Sequence, residues 1–241
     1  MSVWNNQNHR NVDTTRGVTL VELAIAIVII AVLLMALTAG RNLMRAGKVR
    51  AVISETESFR GAFTRFQDKY NELPGDMTEA QSYFGATETH NGNGDETIPW
   101  ATEGALAWQH LQLASMIGAS KMSGTGAAGI VDKNVPASKI AGAGYFVDYD
   151  ANSIGNHFGI GRADGSGTND AAALKPEDAF NIDSKMDDGI TNKGRIRGLN
   201  GSNTTGCAQT LDNTKYDVTK ETEECVLLFQ LDNQLKPAGD N

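Results

Sequence analysis

Glu22 is the side chain whose position most demands a chemical role. It is the one charged residue in the stretch from Val18 to Ala39. A carboxylate at the centre of a membrane-spanning helix costs about 2.5–3.5 kcal/mol on insertion scales, and less near the interface. Because such a charge is expensive in apolar surroundings unless it is paired, we expect Glu22 to meet a positive charge there.

The residues before and around Glu22 form a short motif, Arg-Gly-Val-Thr-Leu-Val-Glu over residues 16–22. Gly, an apolar residue, Thr-Leu-x-Glu and a long apolar helix together resemble the processing and assembly motif of type IV pilins and their type II secretion relatives, the pseudopilins. The resemblance implies that residues 1–17 are a leader peptide and that prepilin peptidase cleaves between Gly17 and Val18. It also implies methylation of the new Val18 amine, although most pilins have Phe at this position.

The same resemblance supplies a positive partner for Glu22. As the fifth residue of the mature chain, Glu22 would pair with the N-terminal amine of a neighbouring subunit, and Thr19 and Leu20 would line the same contact. Both charges are expensive in an apolar filament core unless they are paired. Pairing only after correct docking would therefore set the register of assembly.

Two other interpretations of the N-terminal segment compete with a leader. An ordinary secretory signal has an apolar core of about 7–15 residues and a small-x-small cleavage site after it. This apolar run is longer, and Ala36 and Ala39 have Leu34 and Leu37 where a small residue is needed. A plain signal anchor fits in length, since about 20 apolar residues span a bilayer, but it leaves Glu22 without a purpose. We favour the leader.

The charges that flank the apolar run point to the opposite orientation. Four basic residues follow the run and two precede it: Arg41, Arg45, Lys48 and Arg50 against Arg10 and Arg16. The positive-inside rule would place the C-terminal side in the cytoplasm, whereas the resemblance places residues 1–17 there, and we follow the resemblance. Three of these residues share a face of the predicted helix, placed to meet anionic lipid head groups or acidic faces of neighbouring subunits. These residues are Arg41, Arg45 and Lys48, and a solvated helix face is the alternative.

One helix is predicted from Val18 to Tyr70, with residues 18–39 as its transmembrane and assembly part. No proline interrupts it, and apolar or aromatic residues recur every three or four positions after the apolar run, as in an amphipathic helix. These residues are Val49, Val52, Ile53, Phe59, Ala62, Phe63, Phe66 and Tyr70. We expect the second half of this spine to pack under a globular extracytoplasmic head formed by residues 71–241.

The head is predicted to mix helices and short strands. The patterns indicate helices over residues 76–84, 103–117 and 176–187 and strands over residues 144–149, 157–160 and 225–231. Asp76 and Glu79 have the spacing of a capping box for the first helix, and Thr102 can cap the second. The predicted fold is α+β and pilin-like, with a long N-terminal hydrophobic α-helical spine packed on a small antiparallel β-sheet head with helical and loop insertions.

The chain has two cysteines, Cys207 and Cys225. In a cytosolic protein they would more often be free thiols, but downstream of a membrane-inserting segment they are expected to face an oxidising compartment and to pair. Zinc is not expected, since neither has a Cys or His neighbour at ligand spacing. The pair also resembles the disulfide-bounded C-terminal loop of type IV pilins.

No constellation of catalytic residues is apparent. The four histidines, His9, His90, His110 and His157, are scattered, and neither a His-x-x-x-His nor a Gly-x-Ser-x-Gly motif occurs. Two segments alternate like the start of a calcium loop but lack its Gly at position six and its Glu at position twelve. They contain Asn91, Asn93 and Asp95, and Asp148, Asp150 and Asn152. We interpret both as turns and predict no enzyme activity, no cofactor and no metal.

The sequence therefore predicts a structural subunit of a type IV pilus or pilus-like filament. Its expected partners are other filament subunits, prepilin peptidase, the inner-membrane assembly platform and membrane lipid. The net charge of −8 argues against nucleic acid as a partner of the head. The expected location is a single pass of the inner membrane, then a periplasmic or surface filament. The alternative is an inner-membrane-anchored binding or sensor protein with an acidic periplasmic head that never polymerises.

Overall fold

Four α-helices, one π-helical turn and four β-strands make up the part of the chain that the computed structural model describes, residues 17–118, 121–126, 128–164 and 167–231. The fold is α+β. Contacts divide the chain into a unit that ends at Met44 and a unit that begins at Arg45. The predicted leader lies outside the described residues, except for Gly17.

Helix α1 covers Leu20–Tyr70 and contains 51 residues. It begins two residues later than predicted, because Thr19 caps it and Val18 stays outside. In the first unit every large apolar side chain from Val18 to Leu37 is between 54% and 85% exposed. In the second unit one face is buried, as the apolar spacing predicts. The buried side chains of that face are Val49, Val52, Ala62, Phe63 and Phe66.

A four-stranded antiparallel sheet forms the centre of the second unit. Its strands are β1 (Ala143–Asp150), β2 (Gly155–Arg162), β3 (Ile196–Asn200) and β4 (Cys225–Gln230), in the spatial order β1-β2-β4-β3. Strands β1 and β2 form a hairpin, and β4 lies between β2 and β3. The sequence located β1, β2 and β4 but missed β3, which has only five residues.

Aromatic rings join α1 to the sheet. The ring of Phe59 lies 5.0 Å from that of Trp108 and 4.9 Å from that of Tyr145, both edge to face. Phe63 stacks on Phe158 at 6.2 Å, and Phe158 stacks on Phe229 at 5.3 Å. Such pairs add about 0.5–1.5 kcal/mol each beyond the burial of their area, so this contact holds the second half of α1 against the sheet.

The short helices begin later than predicted. Helix α2 covers Ala80–Phe84 rather than beginning at Asp76, and Glu79 makes no side-chain cap. The expected Asp76–Glu79 capping box was wrong. Asn91, from a distant loop, instead accepts the N–H of Gln81 in the first turn of α2 at 2.8 Å.

The helix predicted at 103–117 also has a different start and end. A π-helical turn covers Trp100–Gly104, and helix α3 follows over Ala105–Leu113. Thr102 lies inside the π-helical turn, and its predicted role as a cap was wrong. The N–H groups of residues 102, 103 and 104 all point to the carbonyl of Pro99, between 2.9 and 3.2 Å away.

Helix α4 covers Pro176–Met186, close to the predicted range. Glu177 and Asp178 lie in its first turn, where acidic side chains interact favourably with the helix dipole. Both carboxylates pair with Arg45 of α1, at 2.5 Å for Glu177. The acidic partner of Arg45 is thus in its own chain, whereas Arg41 and Lys48 remain exposed.

Candidate functional site

The predicted processing and assembly residues all lie at the start of α1. Thr19 is the N-cap residue, and its hydroxyl accepts the backbone N–H of Glu22 at 3.2 Å. Glu22 in turn accepts the backbone N–H of Thr19 at 3.3 Å and the Thr19 hydroxyl at 3.2 Å. This reciprocal pair is a capping box, which satisfies two backbone donors that no helical carbonyl can reach.

The capping box gives Glu22 an intramolecular role besides the predicted intermolecular one. Thr-x-x-Glu before an apolar run is the signature of this motif, so the signal was present over residues 19–22. The carboxylate remains exposed, as do Gly17 and Val18, and Leu20 is 85% exposed. The predicted cleavage position, between Gly17 and Val18, is therefore open to solvent in this chain.

The apolar segment that follows is long enough to cross a membrane. Leu20–Leu37 is the one such segment among the described helices, by length and composition, and none of it is buried. These properties suit a membrane anchor and equally a signal sequence. Burying apolar area is worth about 25 cal/mol per Å², so this surface favours an apolar environment over water.

The two cysteines form the disulfide that the sequence predicted. Cys207 and Cys225 are joined, with their Cα atoms 4.8 Å apart, and both are fully buried. Cys225 is the first residue of β4, and the N–H of Cys207 donates to Asn200 Oδ1 at the end of β3 at 2.9 Å. The bridge therefore fixes the loop over residues 208–224 to the β3–β4 edge of the sheet.

A second cluster of functional groups lies where the chain leaves α1. Asp76 is buried, and its carboxylate accepts the N–H groups of Gly94 at 2.6 Å, Asp95 at 3.1 Å and Glu96 at 2.8 Å. A Cβ added to Gly92 would lie 2.2 Å from the carbonyl carbon of Asp76, so only glycine fits there. The loop around residues 92–96 thus folds around the Asp76 carboxylate.

Glu103, in the π-helical turn, points its carboxylate into the same loop. Its side chain is almost fully buried, with the residue 3% exposed, and Oε1 accepts the N–H of Asn93 at 3.0 Å. Burial, together with the nearby carboxylates of Asp76 and Asp95, raises the pKa of Glu103 to about 7, against the lowering effect of the Asn93 N–H. Burial also raises the pKa of Asp76, against the lowering effect of its three N–H donors.

Asp95 completes this cluster from the exposed side. Bonds from the hydroxyl and N–H of Thr97, at 2.7 and 2.9 Å, lower the pKa of Asp95. One carboxylate oxygen from each of Asp76, Asp95 and Glu103 lies within 4.8 Å of the others. We call these three residues the acidic triad. Of these three residues, only Asp95 lies in a segment that was noted for its calcium-loop spacing, and Asp76 was predicted to cap a helix.

In the other segment with calcium-loop spacing, Asp148 and Asp150 lie in strand β1 and only Asn152 lies in the turn that follows, so the expected turn is confirmed only in part. Asp148 Oδ1 accepts the N–H groups of Trp100 and Tyr149 at 2.9 and 2.8 Å. Asp150 Oδ1 accepts the N–H of Asn152 at 2.9 Å, which is an Asx turn. These bonds tie the π-helical turn to β1 and close the β1–β2 hairpin.

No protein-family model, curated protein or solved structure matches this chain.

Proposed function

We propose that this chain is a structural subunit of a type IV pilus or pilus-like filament. In this proposal prepilin peptidase removes residues 1–17, the Val18 amine is methylated, and the inner-membrane assembly platform adds the subunit to the filament. The subunit polymerises through the first part of α1 and does not catalyse a reaction. Before assembly it crosses the inner membrane once, and afterwards its head lies in the periplasm or on the cell surface.

The observation that carries the proposal is the exposed apolar surface of α1 with a carboxylate in its first turn. Side chains on all faces from Leu20 to Leu37 are exposed, so this segment favours an apolar environment over water. Lipid can cover it in the membrane, and neighbouring helices can cover it in a filament. In a filament, the amine of Val18 of another subunit would give Glu22 a cationic partner.

The preceding residues support processing. Gly17 and Val18 lie outside α1 and are exposed, so a peptidase can reach the bond between them without unwinding the helix. The order of features, an accessible Gly-Val bond, a capped helix start and an apolar helix, is compatible with a subunit that is cleaved and then polymerises.

One observation favours the alternative, an anchored binding or sensor protein that does not polymerise. Glu22 already accepts bonds from Thr19 within one chain, so helix capping alone can account for a Thr and a Glu at these positions. The same apolar helix would then serve as a permanent anchor.

Processing is tested by mass spectrometry of the N-terminus of the membrane-extracted protein, from cells with and without prepilin peptidase. The filament proposal predicts a chain that begins at Val18, with or without an added methyl group, and only when the peptidase is present. A chain that begins at Met1 or Ser2 in both strains would contradict the proposal and favour the permanent anchor.

A further inference from the structure

We propose that the acidic triad, Asp76, Asp95 and Glu103, binds a single Ca²⁺ ion. This inference concerns the head alone and does not depend on the proposed function. It also departs from the sequence-based expectation that the chain binds no metal.

The spacing of the triad suits one ion. Oxygen atoms that coordinate the same Ca²⁺ lie about 2.3–2.6 Å from it, so two of them are separated by at most about 5 Å. The three carboxylate oxygens lie within 4.8 Å of one another. A single Ca²⁺ can therefore contact all three, with water or backbone carbonyls completing its six to eight ligands.

Glu103 provides the independent observation that a ligand belongs here. Its Oε2 atom is buried and has no hydrogen-bond partner among the described residues. A buried carboxylate oxygen without a partner is costly, because it has lost its water and gained nothing in exchange. A cation would supply the missing partner.

The negative charge of the triad also favours a bound cation. None of its carboxylates forms an ion pair with Lys or Arg in the described part of the chain. Three carboxylates within 4.8 Å repel one another strongly where water is scarce. A divalent cation would neutralise most of this charge without changing the fold.

The chemistry of the donors selects the ion. All three are carboxylate oxygens, which suit Ca²⁺, Mg²⁺ and Mn²⁺ rather than the softer metals that prefer Cys and His. Mg²⁺ demands near-octahedral geometry at about 2.0–2.1 Å and retains several waters, whereas Ca²⁺ accepts irregular protein cages. The loop around Asp76 is held by three backbone N–H bonds, so its oxygens cannot easily contract around the smaller ion.

A second acidic cluster shows the contrast. Asp183, Asp187 and Asp188 also bring three carboxylate oxygens within 4.8 Å. However, Asp183 accepts the Tyr216 hydroxyl at 2.8 Å and the Gly189 N–H at 3.2 Å, so both of its oxygens have partners. Because no buried oxygen of this cluster is left without a partner, it serves as the matched control.

The test uses the full chain in detergent, stripped with EGTA and dialysed against radiolabelled Ca²⁺. We expect one Ca²⁺ per chain, with a Kd at or below the range of about 10⁻⁴–10⁻³ M typical of extracellular modules. Glu103→Gln keeps the size of the side chain but removes its charge, and it should weaken Ca²⁺ binding at least about tenfold. Asp188→Asn should bind Ca²⁺ as the wild type does.

Thermal melting gives a second readout for the same proteins. Ca²⁺ should raise the Tm of the wild type and of Asp188→Asn but not that of Glu103→Gln, because an ion that binds only the folded state stabilises it. If Glu103→Gln does not fold, Asp95→Asn at the exposed side of the triad replaces it. No binding at about 10 mM Ca²⁺, well above that Kd range, an undiminished affinity in the triad variant, or equal competition by Mg²⁺ would overturn the proposal.

Discussion

Gly75 donates its backbone N–H to Nδ1 of His110 across 2.9 Å, which joins the turn after α1 to helix α3. Because Nδ1 accepts this bond, the ring carries its proton on Nε2, which lies 3.2 Å from the carbonyl of His90. His110 is fully buried, and a Cβ at residue 75 would lie 2.8 Å from the carbonyl oxygen of Glu103. This pair therefore requires a glycine and a neutral histidine.

The neutral state of His110 predicts a pH-dependent stability. Burial lowers the pKa of His110 from 6.5 to about 4, although its bond to the His90 carbonyl acts in the opposite direction. Between these pH values the unfolded chain binds a proton at this residue that the folded chain excludes, so the contribution of His110 to the free energy of unfolding falls as the pH falls. The raised pKa of Glu103 acts in the opposite direction over the same range. From pH 6.5 to pH 5 the loss at His110 should be about 2 kcal/mol.

Denaturant unfolding of the wild type and of His110→Asn measures this loss. Asn can accept the Gly75 N–H with its side-chain oxygen but does not titrate. We expect the wild type to lose more stability than the variant between pH 6.5 and pH 5, whatever the absolute stability of each. Equal slopes for the two proteins would show that His110 is not held neutral by burial.

The disulfide makes a separate prediction about stability. The bridge joins residues that are 18 positions apart, and closing a loop of this size in the unfolded chain is worth about 3 kcal/mol. Replacing Cys207 and Cys225 together by Ser should lower the free energy of unfolding by about that amount. Reductant should destabilise the wild type to a similar extent and leave the double variant unchanged. If the free energy of unfolding of the wild type stays the same after its disulfide has been completely reduced, this role is contradicted.

The parts of the fold that follow from local periodicity were predictable. The apolar spacing from Val49 to Phe66 identified the buried face of α1, and the apolar segment at Cys225 identified β4. Pro176 with two acidic residues after it located α4. In each case residues near one another in sequence carry the signal.

The acidic triad could not be predicted, because its members are far apart in sequence. Asp76 lies 27 positions before Glu103, and the loop that contains Asp95 folds back onto Asp76 through three backbone bonds. A local pattern instead suggested that Asp76 caps α2. Asp76 does not cap α2, because both of its carboxylate oxygens accept backbone N–H groups of the loop around Gly94 instead.

Short elements were missed for a similar reason. Strand β3 has only five residues, and its place at the sheet edge depends on pairing with β4. The capping box at Thr19 and Glu22, in contrast, was visible in the sequence. Because Glu22 is the one charge in a long apolar run, we predicted an intermolecular partner for it rather than a cap.

The capping box also supplies the sharpest test of the filament proposal. Gln can replace Glu at position N3 of a capping box, three residues after the N-cap. Glu22→Gln therefore preserves the helix start but removes the negative charge. Thr19→Ser retains both the cap and the charge and serves as the control. Any defect shared by both variants would reflect the helix start rather than the ion pair.

The measurement that tests the central claim most directly is the amount of each variant in sheared filaments relative to the membrane fraction. We predict that Glu22→Gln is processed at Gly17 but enters filaments at least about tenfold less, because leaving one charge of a buried pair alone costs about 3–5 kcal/mol. Thr19→Ser should enter them normally. Normal incorporation of Glu22→Gln, or the absence of the wild-type chain from sheared material, would contradict the account.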